Sequence, residues 1–251
     1  MSQQRAYRTS GIVLRARNLG EADKILTLFT TERGKMDAVA KGVRRQKSAL
    51  SGRLEFMSEA TLSLHRGRNL DVITGAEIRY SHFDAIVKPN AFAAASMIAE
   101  LIDAFCEPDL AVPQIYDLLS TVLRAFASQD EPLLLIPRFQ LRLLDALGLA
   151  PPCNACLRCS APLEGVGAWL DLDSGGLAGI ECRVSWMSVV DLDADDVRNF
   201  RGLAVAKGST ERPELYARQN VAKAVEAIIS YHLGRRPKAG AHASEFVTPA
   251  S

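Results

Sequence analysis

Four cysteines gathered in one stretch, Cys153, Cys156, Cys159 and Cys182, are the side chains best suited to chemistry, and the chemistry of clustered thiolates is metal binding. A C-x-x-C turn presents two sulfurs from one bend, and two such turns about twenty residues apart build the tetrahedral site of a zinc ribbon. Cys156 and Cys159 form one turn, but the position expected to pair with Cys182 holds Ser185, whose hydroxyl is a poor zinc ligand. Cys153 is then the substitute fourth ligand. The alternative is a ribbon without metal, held by packing around Trp169 and Trp186. The fifth cysteine, Cys106, stands alone, and this usage suits a reducing compartment better than a disulfide framework.

The run Pro152-Cys153-Asn154-Ala155-Cys156 also matches half of the zinc deaminase signature. The other half, a histidine ligand with glutamate two residues on as the proton carrier, is missing at His65, His82, His232 and His242; the nearest approach is Asp84 after His82. Nor is there a phosphate-binding P-loop or a nucleophile elbow. A binding protein is expected, not an enzyme.

The second feature is charge. From Lys41 to Arg53 the chain carries five cations and no acid, among small residues that favour a mobile loop. The formal net charge is only +1, yet residues 1–80 hold fifteen Lys and Arg against eight Asp and Glu, and the remainder fifteen against twenty-one. A basic front and an acidic remainder are expected when one domain meets a polyanion and the other does not. Arg15, Arg17, Lys24, Lys35, Lys41, Arg44, Arg45, Lys47 and Arg53 are the candidates for phosphate contact. Aromatics are sparse there: Phe29 reads as core, so backbone charge should outweigh base stacking.

The elements that must position these residues change character near residue 80. Apolar and polar residues alternate in 9–17, 24–30 and 59–65, and more weakly in 35–41 and 70–78, which predicts five strands. Only the connection after the third is long. That pattern fits a small, partly open barrel of the OB type, with an SH3-like barrel as the other solution. Beyond Pro89 the period becomes helical: Ile98, Leu101, Ile102 and Phe105 make one stripe, and Ile115, Leu118, Leu119, Val122, Leu123 and Phe126 another. A third helix, or two short ones divided by Pro137, is predicted over 132–147 with Gly148 as its stop. Residues 150–190 form a small irregular module. Asp191 should cap a helix through Phe200, and Pro213 should open another with the stripe Leu215, Val221, Val225, Ile228 and Ile229, ending at Gly234. No apolar run is long enough to span a membrane, and the N-terminus lacks the centre of a secretory signal, so a cytoplasmic, nucleoid-associated location is expected.

In succession, Gly11-Ile-Val-Leu-Arg, Glu21-Ala-Asp-Lys-Ile-Leu-Thr-Leu-Phe-Thr, Gly34-Lys-Met-Asp-Ala-Val-Ala-Lys-Gly-Val-Arg, Phe139-Gln-Leu-Arg-Leu-Leu-Asp-Ala-Leu-Gly-Leu-Ala-Pro, the Cys156 and Cys159 pair, Gly175-Gly176 and Tyr231-His-Leu-Gly-Arg resemble the bacterial RecO family of recombination mediators. The resemblance implies an α+β multidomain protein: an N-terminal OB-fold barrel over 1–80, a helical domain over 81–150 and 191–234, an inserted zinc-ribbon-like module over 151–190, and a disordered tail over 235–251. It implies a protein that binds single- and double-stranded DNA, anneals complementary strands, and works with RecR and single-strand binding protein to load recombinase in DNA repair. Ser185 stands where relatives carry a fourth cysteine, so zinc is the implied cofactor that the residues put in question. Arg138 and Arg142 beside Leu141 and Leu144 suit either a helix with one wet and one dry face or a groove for the acidic tail of single-strand binding protein. The rival to the mediator reading is an OB-fold and helical adaptor that binds RNA or proteins without annealing.

Overall fold

The computed structural model describes residues 5–184, 190–205 and 214–239. They belong to two compact units that divide between Asp130 and Glu131.

In the first unit, β1 (Ala6–Leu19), β2 (Asp23–Thr30), β3 (Gly34–Ala40), β4 (Glu59–His65) and β5 (Asp71–Tyr80) form a closed barrel in the order β1-β2-β3-β5-β4. The alternation predicted from sequence is what fills it. Val13, Leu26, Leu28, Met36, Ala38, Leu62, Leu64 and Ile73 point to a common core. The expected partly open barrel is closed by a short parallel ladder in which Ala38, Val39 and Ala40 face Asp71, Val72 and Ile73.

That ladder leaves the first half of β3 without a strand neighbour on the side away from β2, and an uncovered edge is a template for mispairing. The 108–110 segment covers it: Asp109 N–H donates to the Lys35 carbonyl at 2.8 Å, and Pro108 bridges Lys35. The approach is close enough to require glycine at position 34. Gly34 has φ +62°, and a Cβ there would lie 1.9 Å from the Leu110 carbonyl oxygen.

The mobile loop expected over 41–53 is instead a chain of hydrogen-bonded turns. Arg44 N–H donates to the Ala22 carbonyl at 3.0 Å, Gly42 N–H to the Asp23 carboxylate at 2.7 Å, and Met57 N–H to the Val13 carbonyl at 2.8 Å. Val43, Leu50 and Leu54 enter the barrel core, which explains the difference: the small residues permit the turns, while the three apolar ones pin them.

Helices α1 (Phe83–Ile86), α2 (Pro89–Phe105) and α3 (Pro113–Ala125) share this unit, and the predicted stripes bury Ile98, Leu101, Ile102, Ile115, Leu119 and Leu123. A buried carboxylate ties α3 to the barrel. Glu59, at the start of β4, accepts from Tyr116 Oη at 3.3 Å, Ser120 Oγ at 2.9 Å and Arg124 Nη2 at 3.3 Å. Beside it lies His82, buried, its Nε2 without a hydrogen-bond partner.

In the second unit a 3-10 turn (Pro132–Leu135) leads into α4 (Ile136–Ala146), resolving the choice around Pro137 in favour of a short turn followed by one helix. A hairpin of β6 (Ala168–Asp171) and β7 (Gly176–Gly179) is joined by β8 (Asp191–Leu192) on the other side of β6. Asp191 therefore pairs with Trp169 in a strand. The cap of α5 (Ala194–Ala204) is Asp193, in a reciprocal capping box with Asp196. Helix α6 (Gln219–Leu233) starts later than predicted, with Leu215 before it and exposed; Pro213 and the tail from residue 240 lie outside the described residues. Arg138 and Arg142 donate to the carbonyls of Leu203 at 3.0 Å, Glu214 at 2.8 Å and Ala204 at 3.0 Å, while Leu141 and Leu144 are buried. These guanidinium groups thus satisfy carbonyls at the C-terminal end of α5 and that of Glu214, as expected of a helix with one dry face.

Two outcomes follow for stability. Gly34→Ala should cost about 3 kcal/mol or more, whereas Gly20→Ala, at φ +59° with nothing within 4 Å, should cost about 1 kcal/mol. Equal losses in urea unfolding would contradict the close approach of Leu110. For His82, burial lowers the imidazole pKa, the Glu59 carboxylate opposes that, and the Arg124 guanidinium adds to it. The unfolded ring takes up its proton first, near pH 6.5, so the stability contributed by the neutral ring is full above that pH and is lost as pH falls through the lower native value. Between about pH 7.5 and 5.5 the wild type should lose more stability than His82→Asn, and parallel losses would refute this.

Candidate metal centre and nucleic-acid interface

The metal cluster is assembled by the β6–β7 hairpin and the turn before it. Cys156, Cys159 and Cys182 bring their sulfurs within 4.8 Å of one another. Gly179 N–H donates to Cys156 Sγ at 3.3 Å and Arg158 N–H at 3.4 Å, the kind of amide contact that favours a thiolate. Burial pushes the Cys156 thiol up, but the Gly179, Cys159 and Arg158 amides and the Cys159 thiol outweigh it and bring it down to about 6. Cys182 is pushed up to about 11 by hydrogen bonding to Cys159 and Cys156. The trio thus concentrates negative charge on Cys156 while the Cys182 thiol keeps its proton.

Cys153 is not part of this group. Its neighbour Pro152 accepts from Leu177 N–H at 3.2 Å. Ser185 and Trp186 lie outside the described residues. The three thiols could hold a metal ion, and their softness suits zinc.

The module also has a core of its own. Trp169 is buried, its indole N–H donates to the Gly179 carbonyl at 3.2 Å, and the Arg158 guanidinium lies 5.3 Å from its ring centroid. Arg158 also bonds the fully buried Asp171 at 2.8 Å, and Ser174 supplies that carboxylate with two more donors. Despite burial, these donors hold the Asp171 carboxyl below its ordinary range.

On the barrel, the nine candidate cations fall into different environments. Arg15 pairs with Asp103 at 3.5 Å, Arg17 with Asp37 at 3.2 Å, and Lys35 with Asp103 at 3.4 Å. Lys35 is only 14% exposed. Two carboxylates thus serve all three cations, Asp103 pairing with both Arg15 and Lys35, at positions that nothing in the local sequence marks as partners. Lys41, Arg44, Arg45, Lys47 and Arg53 are exposed and Lys24 is half-buried; among the described residues none of these six has a carboxylate partner. Arg44 donates to the Gly20 carbonyl at 3.2 Å and Arg53 to the Ala76 carbonyl at 3.0 Å, which orients each guanidinium and leaves its charge unneutralised. The β1–β2 turn and the 41–47 turns are thereby held together. Phe29 is fully buried, so it offers no platform for bases.

Single replacement of Cys156, Cys159 or Cys182 by Ser should abolish bound zinc, whereas Cys153→Ser should keep about one ion per chain. Elemental analysis of the purified variants checks this, and loss of zinc from Cys153→Ser would return that residue to the ligand set.

Comparison with known proteins agrees with both halves of this architecture. Residues 1–82 match the family profile described as Recombination protein O N terminal, and residues 88–241 match Recombination protein O C terminal. The chain is 40% identical over 190 residues to the DNA repair protein RecO of Heliobacterium modesticaldum, covering 71% of this chain and 66% of that protein. It is 39% identical over 176 residues to that of Bifidobacterium adolescentis, covering 68% and 71%, and 36% identical over 182 residues to that of a Nocardioides species, covering 71% and 75%. With two profiles spanning nearly all of a chain whose barrel, helices and cysteine hairpin follow in the same order, this protein belongs to the RecO family.

Proposed function

We propose that the protein is a recombination mediator in DNA repair: it binds single- and double-stranded DNA by its phosphates, anneals complementary strands, and with RecR and single-strand binding protein helps to load recombinase. The observation that supports this best is the group of uncompensated cations Lys41, Arg44, Arg45 and Lys47, displayed on turns that are themselves anchored in the barrel core, with Lys24 of β2 as a fifth. Such groups displace condensed counterions from a nucleic-acid backbone without reading bases. A strand held by its phosphates keeps its base edges free, and the cations lower the repulsion that a second strand meets on approach. No covalent step is required.

Zinc in the hairpin would serve the fold of the second unit, with Cys156, Cys159 and Cys182 as its protein ligands. When bound, it would crosslink the turn at Cys156 to the end of the hairpin at Cys182. Among the described residues no helix is long and apolar enough to cross a membrane, which agrees with a DNA-associated location in the cytoplasm.

If about five phosphates of a single strand are engaged, log affinity should fall against log salt with a slope near −3.5. Replacing Lys41, Arg44, Arg45 and Lys47 by Ala should flatten that slope to roughly −0.7 and depress annealing of strands coated with single-strand binding protein, with unchanged thermal melting because Val43, Leu50 and Leu54 are kept. Arg15→Ala with Arg17→Ala, removing cations already paired, should leave the slope nearly as it was. Annealing and salt dependence that ignore the fourfold replacement would refute the assignment, and equal competition by RNA would favour an RNA-binding adaptor.

A further inference from the structure

A second group of cations lies at the other end of β1. Arg5 precedes its first residue, and Arg66 and Arg68 flank Gly67 in the turn from β4 to β5, a turn that reads from sequence only as a connection. All three are exposed, and among the described residues none is paired with a carboxylate. Some other barrel cations do find acids: Arg8 pairs with Glu77, Arg15 with Asp103, Arg17 with Asp37, and Arg33 with Asp71 and Asp109, whereas Arg53 and Arg79 bond the Ala76 carbonyl and Ser10 Oγ instead.

The turn is built, not slack. Arg66 N–H donates to the Arg5 carbonyl at 2.7 Å, Gly67 N–H to Asp71 Oδ1 at 3.1 Å, and a Cβ at Gly67 would lie 1.9 Å from the Leu70 carbonyl oxygen. Asp71, the acid nearest in the chain, is engaged by this amide, by Tyr7 Oη and by Arg33 at 2.6 Å, so it is not left to neutralise the turn. The Arg66 guanidinium carbon stands 5.4 Å from the centroid of the Tyr7 ring, whose hydroxyl is held by Asp71 and Arg33. Stacking on a fixed ring orients a guanidinium and leaves its N–H edge for the two oxygens of a phosphate.

Between the two open groups, β1 carries Arg15 and Arg17, whose charges are taken up by Asp103 and Asp37. The fourteen residues of β1 separate the cations near Arg44 from those near Arg66, with Arg79, which donates to Ser10 Oγ at 2.7 Å, between them. We propose that Arg66 and Arg68, with Arg5 beside them, form a second phosphate-binding locus, which takes the complementary strand while the 41–47 turns hold the first. This deepens the annealing reading and rests on it.

The test titrates the full-length protein with a labelled single-stranded oligonucleotide of about ten nucleotides, within the site size of one OB fold, under tight-binding conditions. The wild type should bind two oligonucleotides per chain, and Arg66→Ala with Arg68→Ala should bind one and anneal about tenfold more slowly. Arg68→Glu, which leaves the Arg66–Tyr7 stack intact, should give the same reduction, so that a loss of folding in the double variant cannot mimic the result. A wild type that binds only one oligonucleotide, or variants that bind as the wild type does, would overturn the second locus and leave the phosphate-binding reading of the 41–47 turns standing. A wild type that binds none would overturn both.

Discussion

The barrel depends on the insertion of Val43, Leu50 and Leu54 into its core from a segment that is otherwise cationic. Each such side chain contributes about 1.5–3 kcal/mol when withdrawn from water. With the backbone bonds to Ala22 and Asp23, that burial converts what would be a loose basic tether into a fixed surface. The same anchoring keeps Lys41, Arg44, Arg45 and Lys47 at the surface, because residues between buried ones in a tight turn have nowhere else to go. Rigidity would help the proposed binding of DNA by charge, since cations already in place lose less side-chain and backbone freedom on binding.

Charge on the barrel is sorted by partnership more than by amount. Asp37, Asp71, Asp103 and Asp109 compensate Arg15, Arg17, Arg33 and Lys35. Those pairs serve the fold: Asp109 and Pro108 belong to the segment that covers the free edge of β3, and Asp103 closes the last turn of α2 over the same strand. Among the described residues, the cations left without a carboxylate partner include those at the two ends of β1, together with Arg53 on the Ala76 carbonyl and Arg79 on Ser10 Oγ.

The second unit packs its hairpin around side chains other than the clustered thiols. Trp169, Arg158 and Asp171 give the hairpin a packed and fully hydrogen-bonded centre, and the three thiols sit to one side of it on the Cys156 turn and at Cys182. Arg138 and Arg142 serve packing in the same way, donating to the carbonyls at the end of α5 that the helix cannot satisfy itself.

Much of this was readable in one dimension. Alternation in the first eighty residues determines five strands, because a half-buried sheet must alternate, and the three-and-four period after Pro89 determines the helices, because a helix buries one stripe. The spacing of Cys156, Cys159 and Cys182 determines that a turn and a hairpin can bring three sulfurs together. Tertiary structure alone decided that Cys153 falls outside their three-sulfur group, that Asp193 and not Asp191 caps α5, and that Val43, Leu50 and Leu54 fasten the basic segment. It alone decided which cations are neutral in effect, since Lys35 meets Asp103 across sixty-eight positions of chain. Periodicity is a local property of the backbone and is written in neighbouring residues, whereas a charge is cancelled by whichever acid the folded chain brings within a few ångströms.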